Sequence, residues 1–67
     1  MAQSPVGKTI RTLRDVKGLT QVELAAAAGI DRSHLARIET GVVSPGLVTL
    51  AKIAKALRIK SSQLLAA

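Results

Sequence analysis

The sequence contains no cysteine, phenylalanine, tyrosine or tryptophan, and only one histidine. Without cysteine, neither disulfides nor thiolate metal sites can supplement the core. A single histidine cannot seed a metal cluster, so no metal and no cofactor are expected. RNA-recognition sheets and single-strand grooves stack bases on aromatic rings, and this chain has none to offer. Among nucleic acids, that leaves duplexes favoured. No apolar run approaches the about 20 residues of a membrane span. The N-terminal MAQSPVGK also lacks an apolar signal core. These absences suggest a soluble, cytoplasmic protein with no membrane partner. Acidic residues are scarce as well: four against ten Lys and Arg, for a net charge of +6. Such a balance suits a polyanionic partner, and equally a solvated basic surface.

At 67 residues the chain reads as one small domain, residues 1–67. Domains of this size bury a modest share of their surface, so stability rests on apolar packing, helped where needed by dimerisation. The hydrophobic pattern is helical throughout. Ser4-Pro5 is a cap followed by proline at the first helical position. Val6, Ile10 and Leu13 then form one apolar face, with Arg11, Asp15 and Lys17 outside and Gly18 as the stop. Thr20-Gln21-Val22-Glu23 spells a capping box ahead of the helix former LAAAA, which Gly29 ends. Alanine's small side chain also lets another helix cross closely. Ile30 is expected to plug the following turn and Asp31 to cap a third helix, with Leu35 and Ile38 inward and Gly41 at its end. Ser44-Pro45 repeats the start signal before a fourth helix with Leu47, Leu50, Ile53, Ala54 and Leu57 inward. On that helix Lys52, Lys55 and an exposed Val48 lie outward. Ser61 is expected to cap a short fifth helix containing Leu64 and Leu65. The expected fold is all-α, five short helices around one Leu/Ile/Val/Ala core.

Residues of about 20–40 stand out. Two short helices joined by a glycine turn have the layout of a helix-turn-helix, whose second helix enters the major groove of DNA. Opposite Leu35 and Ile38 lie Ser33, Ala36, Arg37 and Thr40, flanked by Arg32 and His34. A helix facing only solvent more often carries Glu and Lys pairs. Short side chains beside arginine let a helix sink into a groove and still reach base edges.

These residues resemble the Cro/phage-repressor type of helix-turn-helix, the XRE family. The resemblance rests on Leu13-Arg14, Gly18-Leu19-Thr20-Gln21, Glu23-Leu24-Ala25, Gly29, Leu35, Ile38-Glu39 and Gly41. Pro45, Leu50, Ile53-Ala54, Leu57 and Leu64-Leu65 extend it, so it covers the chain from about Val6 onward. GLTQ-x-ELA with I-E-x-G downstream is specific as a combination, although each piece alone is weak. The resemblance implies a lambda-repressor-like fold with helix three in the major groove. It implies base contacts by Arg32, Ser33 and Arg37, with His34 at the groove edge near a phosphate. Gln21 would contact the DNA backbone and brace the first recognition residue. Arg14 and Glu39 match a family ion pair between helices one and three. Family members are commonly dimeric repressors or activators on pseudo-palindromic operators, which implies a prokaryotic or phage-encoded, nucleoid-associated protein. One departure concerns the loop Thr40-Gly41-Val42-Val43-Ser44. It lacks the basic side chain that often clamps phosphate in such proteins.

On this reading affinity comes from phosphate contacts and counterion release. Gln21, Arg11, Arg14, His34 and Thr40 are the candidates, together with the amides at the start of helix two. Specificity comes from base edges, where arginine can donate two bonds to guanine. Alternatives stand beside several roles. Arg37 can instead serve an ion pair or a phosphate, and Ala36 can touch a thymine methyl or simply avoid a clash. Val42, Val43, Val48, Ile59 and Leu65 are candidates for a homodimer surface, although several suit the core equally. An enzyme is not expected, because no nucleophile–base–orienter set is available and the acids are taken by caps and the ion pair. The rival reading is an antitoxin or coactivator-like module that uses the same fold to hold a protein partner, such as a toxin or RNA polymerase. Phage repressor, restriction–modification controller and antitoxin all remain open.

Overall fold

The computed structural model describes the backbone of residues 5–65 and the side chains of residues 6–64. Five α-helices follow in order: α1 Pro5–Val16, α2 Gln21–Ala28, α3 Arg32–Thr40, α4 Leu47–Leu57 and α5 Ser61–Leu65. There is no strand among the described residues. α1 packs on α3, α2 on both α3 and α4, and α5 closes against α4 and α1. Their shared interior is Ile10, Leu24, Leu35, Ile38, Ile53, Leu57 and Leu64, all fully buried, with Ala25, Ala28, Leu50 and Ala54 filling between them.

The local devices explain most of this layout. α1 begins at Pro5, while the Ser4 cap lies outside the described residues. Thr20 and Glu23 form the full capping box: the Thr20 hydroxyl accepts from the Glu23 N–H at 3.0 Å, and the Glu23 carboxylate accepts from the Thr20 N–H at 2.8 Å. Gly29 ends α2 at φ 71°, a left-handed conformation that costs glycine no Cβ clash. That turn aims α3 across α2, and Ile30 packs half-buried against the core behind it.

Gly7 is buried inside α1, where α1 and α3 come closest. A Cβ on Gly7 would lie 2.0 Å from the Ile38 carbonyl oxygen, which belongs to backbone and cannot swing aside. Only glycine permits this approach, and the approach carries α1 close enough for Arg14 to reach α3.

Four local expectations are corrected. α4 starts at Leu47 with Gly46 as its N-cap, not at Ser44-Pro45. Its first bond runs from the Leu50 N–H to the Gly46 carbonyl at 2.9 Å, and starting earlier would place Gly46 inside the first turn, where glycine is a poor helix former. Leu47 therefore stands at the first helical position and overhangs the core edge, 79% exposed. Asp31 occupies the N-cap of α3 without bonding a helix amide. Its carboxylate accepts instead from the Ser33 hydroxyl at 2.6 Å, a local competitor for the same acceptor. Ser61 is the first residue of α5 rather than its cap. The Lys60 N–H donates to Gln63 Oε1 at 2.8 Å, the return half of a capping box without a hydroxyl half.

Candidate nucleic-acid interface

α3 presents two unlike faces. Leu35 and Ile38 are fully buried, while Arg32, Ser33, Arg37 and Thr40 are exposed and His34 and Ala36 half-exposed. Its nine residues make a rod about 14 Å long at 1.5 Å per residue and about 10–12 Å across with side chains, a diameter that the about 12 Å width of the major groove admits. The outward face combines two guanidinium groups with short side chains, so the helix backbone can approach a surface closely.

A polar network fixes that face to the body of the protein. Arg14 on α1 donates from Nε to Glu39 Oε2 at 2.8 Å and from Nη2 to Glu39 Oε1 at 3.1 Å, a bidentate pair. Glu39 is buried, and the Arg14 side chain is only 11% exposed. Arg14 Nη1 also donates to the Leu19 carbonyl at 2.8 Å and lies 3.4 Å from Asp15. The hydrogen bonding of Arg14 to the Glu39 carboxylate raises the Arg14 pKa above the ordinary arginine value, overcoming the opposing effect of burial. The guanidinium therefore stays charged, and the stability it brings is complete at neutral pH and fades only far on the alkaline side. Gln21, at the start of α2, donates from Nε2 to Glu39 Oε1 at 3.0 Å, and its Oε1 accepts from Arg32 Nη1 at 3.4 Å.

The expected site residues can now be placed. Ser33, Arg37 and Thr40 lie on the outward side of α3, flanked by the exposed Arg32 and the half-exposed His34, with Gln21 beside its first turn. Ser33 and Thr40 have their hydroxyl protons engaged within the chain: Ser33 donates to Asp31, and Thr40 to the Ala36 and Arg37 carbonyls at 3.2 Å. Their oxygens remain available as acceptors. Arg11 is exposed on α1. Arg14 leaves the phosphate-contact set, because its donors are committed to Glu39 and Leu19 inside the fold. In the candidate dimer surface, Val42 and Val48 are exposed, whereas Val43 and Ile59 pack against the core. The side chain of Leu65 lies outside the described residues. Leu47, assigned to the core by its spacing, is exposed as well.

At the start of α2 the Glu23 amide is occupied by the Thr20 hydroxyl, while the amides of Gln21 and Val22 come before the first intrahelical bond, from the Leu24 N–H to the Thr20 carbonyl.

Comparison with known proteins agrees with this geometry. The family profile described as Helix-turn-helix matches residues 10–64. The chain is 46% identical over 57 residues to the immunity repressor protein of Bacillus phage phi105, an alignment covering 85% of this chain and 40% of that protein. A Sinorhizobium fredii helix-turn-helix regulator is 34% identical over 82% of this chain and 28% of its own length. The chain thus spans well under half the length of these two curated relatives. Among solved structures, the restriction–modification controller C.AhdI of Aeromonas hydrophila superposes with a TM-score of 0.87 at 40% identity, covering 90% of this chain and 91% of the other. SinR, the master regulator for biofilm formation, solved in complex with DNA, superposes at 0.85 with 33% identity, covering 90% and 97%.

Proposed function

Because this chain belongs to the Cro/phage-repressor (XRE) type of helix-turn-helix DNA-binding transcriptional regulators, we propose that it reads a duplex operator with α3 in the major groove. The observation that carries the reading is the division of α3: one face is sealed into the core, and the other offers Arg32, Ser33 and Arg37 with little bulk around them. Arg32 and Arg37 are the base-reading arginines, each able to donate two bonds to guanine and worth about 1–3 kcal/mol of discrimination. Arg11, His34 and the amides of Gln21 and Val22 hold phosphates, and the lack of a basic residue in the Thr40–Ser44 loop leaves more of that task to them. The net charge of +6 supports strong electrostatic attraction to the duplex.

One such helix reads few base pairs, so the operator is pseudo-palindromic and two chains occupy half-sites about 34 Å apart. Support for a homodimer comes from Val42, Leu47 and Val48, which are 74%, 79% and 71% exposed within seven residues of sequence. The same patch favours the second reading, in which a different protein covers it.

Binding titrated against salt on random and operator-like duplexes tests the function. Arg32→Ala combined with Arg37→Ala is expected to keep salt-dependent binding to any duplex while losing preference between sequences. An unchanged preference in that double variant contradicts base reading by α3. The mass of the complex on a high-affinity site tests the dimer: two chains are expected, and one chain per site excludes it.

A further inference from the structure

Asp31 and Ser33 stand two residues apart at the start of α3, and the bond between them has only one possible direction. The Ser33 hydroxyl oxygen lies 2.6 Å from Asp31 Oδ2, within the range of a charge-assisted bond. An ionised carboxylate only accepts, so the shared proton belongs to Ser33 and points at Asp31. A hydroxyl has that one proton, which leaves Ser33 Oγ an acceptor alone towards any third group. Within a helix such a hydroxyl can turn instead to the carbonyls three and four residues back, as Thr40 does with Arg37 and Ala36. For Ser33 those carbonyls belong to Ile30 and Gly29, which precede α3, and its hydroxyl bonds to neither. Asp31 for its part bonds no helix amide, so its carboxylate is free to hold this proton. Both residues are exposed.

We infer that Asp31 is a specificity-determining residue acting through Ser33: by taking the hydroxyl proton, it turns Ser33 into a reader of base amino groups. This role rests on the placement of α3 in the major groove proposed above. A free serine hydroxyl donates or accepts, so it serves any base. In the major groove adenine and cytosine each offer an amino donor, at N6 and N4, whereas guanine offers O6 and N7 and thymine offers O4, all acceptors. An acceptor-only Oγ matches the first two bases and sets lone pair against lone pair on the others. The base that Ser33 touches is accordingly adenine or cytosine on the contacted strand. Phosphate is a poor partner for the same reason: its oxygens accept, and its charge has the sign of Asp31. Arg32 and Arg37 have the opposite polarity, since a guanidinium only donates and selects guanine. The outward face of α3 therefore carries two donor groups for guanine and one acceptor for an amino base.

The experiment selects bound sequences from random duplex DNA with the parent, Ser33→Ala, Asp31→Ala and the combined variant, and measures the Ser33 side-chain couplings by NMR on the free chain. The parent is expected to require adenine or cytosine at one position, which Ser33→Ala relaxes. In Asp31→Ala the hydroxyl regains its donor, so the same position is expected to admit guanine and thymine, its preference falling several-fold. The combined variant is expected to match Ser33→Ala there. Removing a negative charge raises affinity for every duplex, so the readout is preference rather than affinity. In the free chain, Ser33 χ1 is expected to hold one rotamer in the parent and to average over several in Asp31→Ala. Guanine or thymine at the Ser33-dependent position overturns the inference, as does a preference that Asp31→Ala leaves unchanged. A preference lost in Asp31→Ala but kept in Ser33→Ala means that Asp31 reads the base itself, and overturns it too. Relaxation of every position by Asp31→Ala means a loosened helix start, and rotamer averaging in the parent means that the proton is not held; either overturns it. Failure of base reading as a whole looks different: Arg32→Ala and Arg37→Ala then leave the preferred sequence unchanged as well, whereas failure of this inference alone leaves their positions responsive.

Discussion

Residues 5–41 and residues 42–65 build their helices by different means. The first region is dense with orienting devices: a full capping box, left-handed glycines ending α2 and α3, a glycine at the closest helix approach, and a buried bidentate ion pair. The second region has few of these. α4 starts on Gly46 with no side-chain cap and ends on Arg58 in a left-handed conformation at φ 61°. It is held by Leu50, Ile53, Ala54, Leu57 and Leu64, and it leaves Leu47 and Val48 in the open. Directional contacts fix angles, whereas apolar contacts mainly hold elements together. The region that must aim a helix has the former, and the region that supports it relies on the latter.

Substitutions can break this contrast in order of expected size. Glu39→Ala leaves Arg14 without its partner in a nearly buried setting. The expected loss is about 3 kcal/mol, the lower end of the range for buried pairs, since Arg14 keeps slight exposure. A chain of this size has a total stability of about 3–10 kcal/mol, so this loss removes a third or more of it, and denaturant titration should find the Glu39→Ala midpoint well below the parent's. A midpoint equal to the parent's means that the pair contributes nothing. Gly7→Ala forces α1 and α3 apart, and a loss of about 1–3 kcal/mol is expected from the same titration. Parent-like stability there shows that the backbone shifts without cost.

In the second region the effects shrink or reverse. Arg58→Gly removes a left-handed strain and is expected to raise stability by up to about 1 kcal/mol, read as a higher thermal midpoint. A lower midpoint would show that the Arg58 side chain holds something that its exposure does not reveal. Leu47→Ser is expected to change the unfolding free energy of the monomer by less than about 0.5 kcal/mol. It should weaken self-association on sedimentation. A large monomer loss would return Leu47 to the core, and unchanged association would exclude it from the dimer surface.

The sequence was most legible where one residue type does one local job. Thr20 and Glu23 are three apart, and Gly29 follows an alanine run, so short-range geometry alone placed α2 and its end. The outward face of α3 followed from helical periodicity, because Leu35 and Ile38 leave only one side free. Legibility failed where a local signal had two outcomes or a contact was distant in sequence. Ser44-Pro45 spells a helix start, yet Gly46 takes the cap. Leu47 keeps the apolar period of α4, but periodicity cannot say where the core beneath it ends. Gly7 looks neutral within an amphipathic helix until the Ile38 carbonyl is seen beside it. Arg14 matched an ion pair and was also offered to phosphate. Only the packed distances show its donors committed inward. The tie from Gln21 to Glu39 spans two helices and left no pattern in the sequence.

Selection of bound sequences from random duplex DNA, run in parallel on the parent, Arg32→Ala and Arg37→Ala, tests base reading by α3 most directly. The expected result is a defined preferred sequence for the parent, with a different base position relaxed in each variant. The same preferred sequence from all three proteins would contradict it.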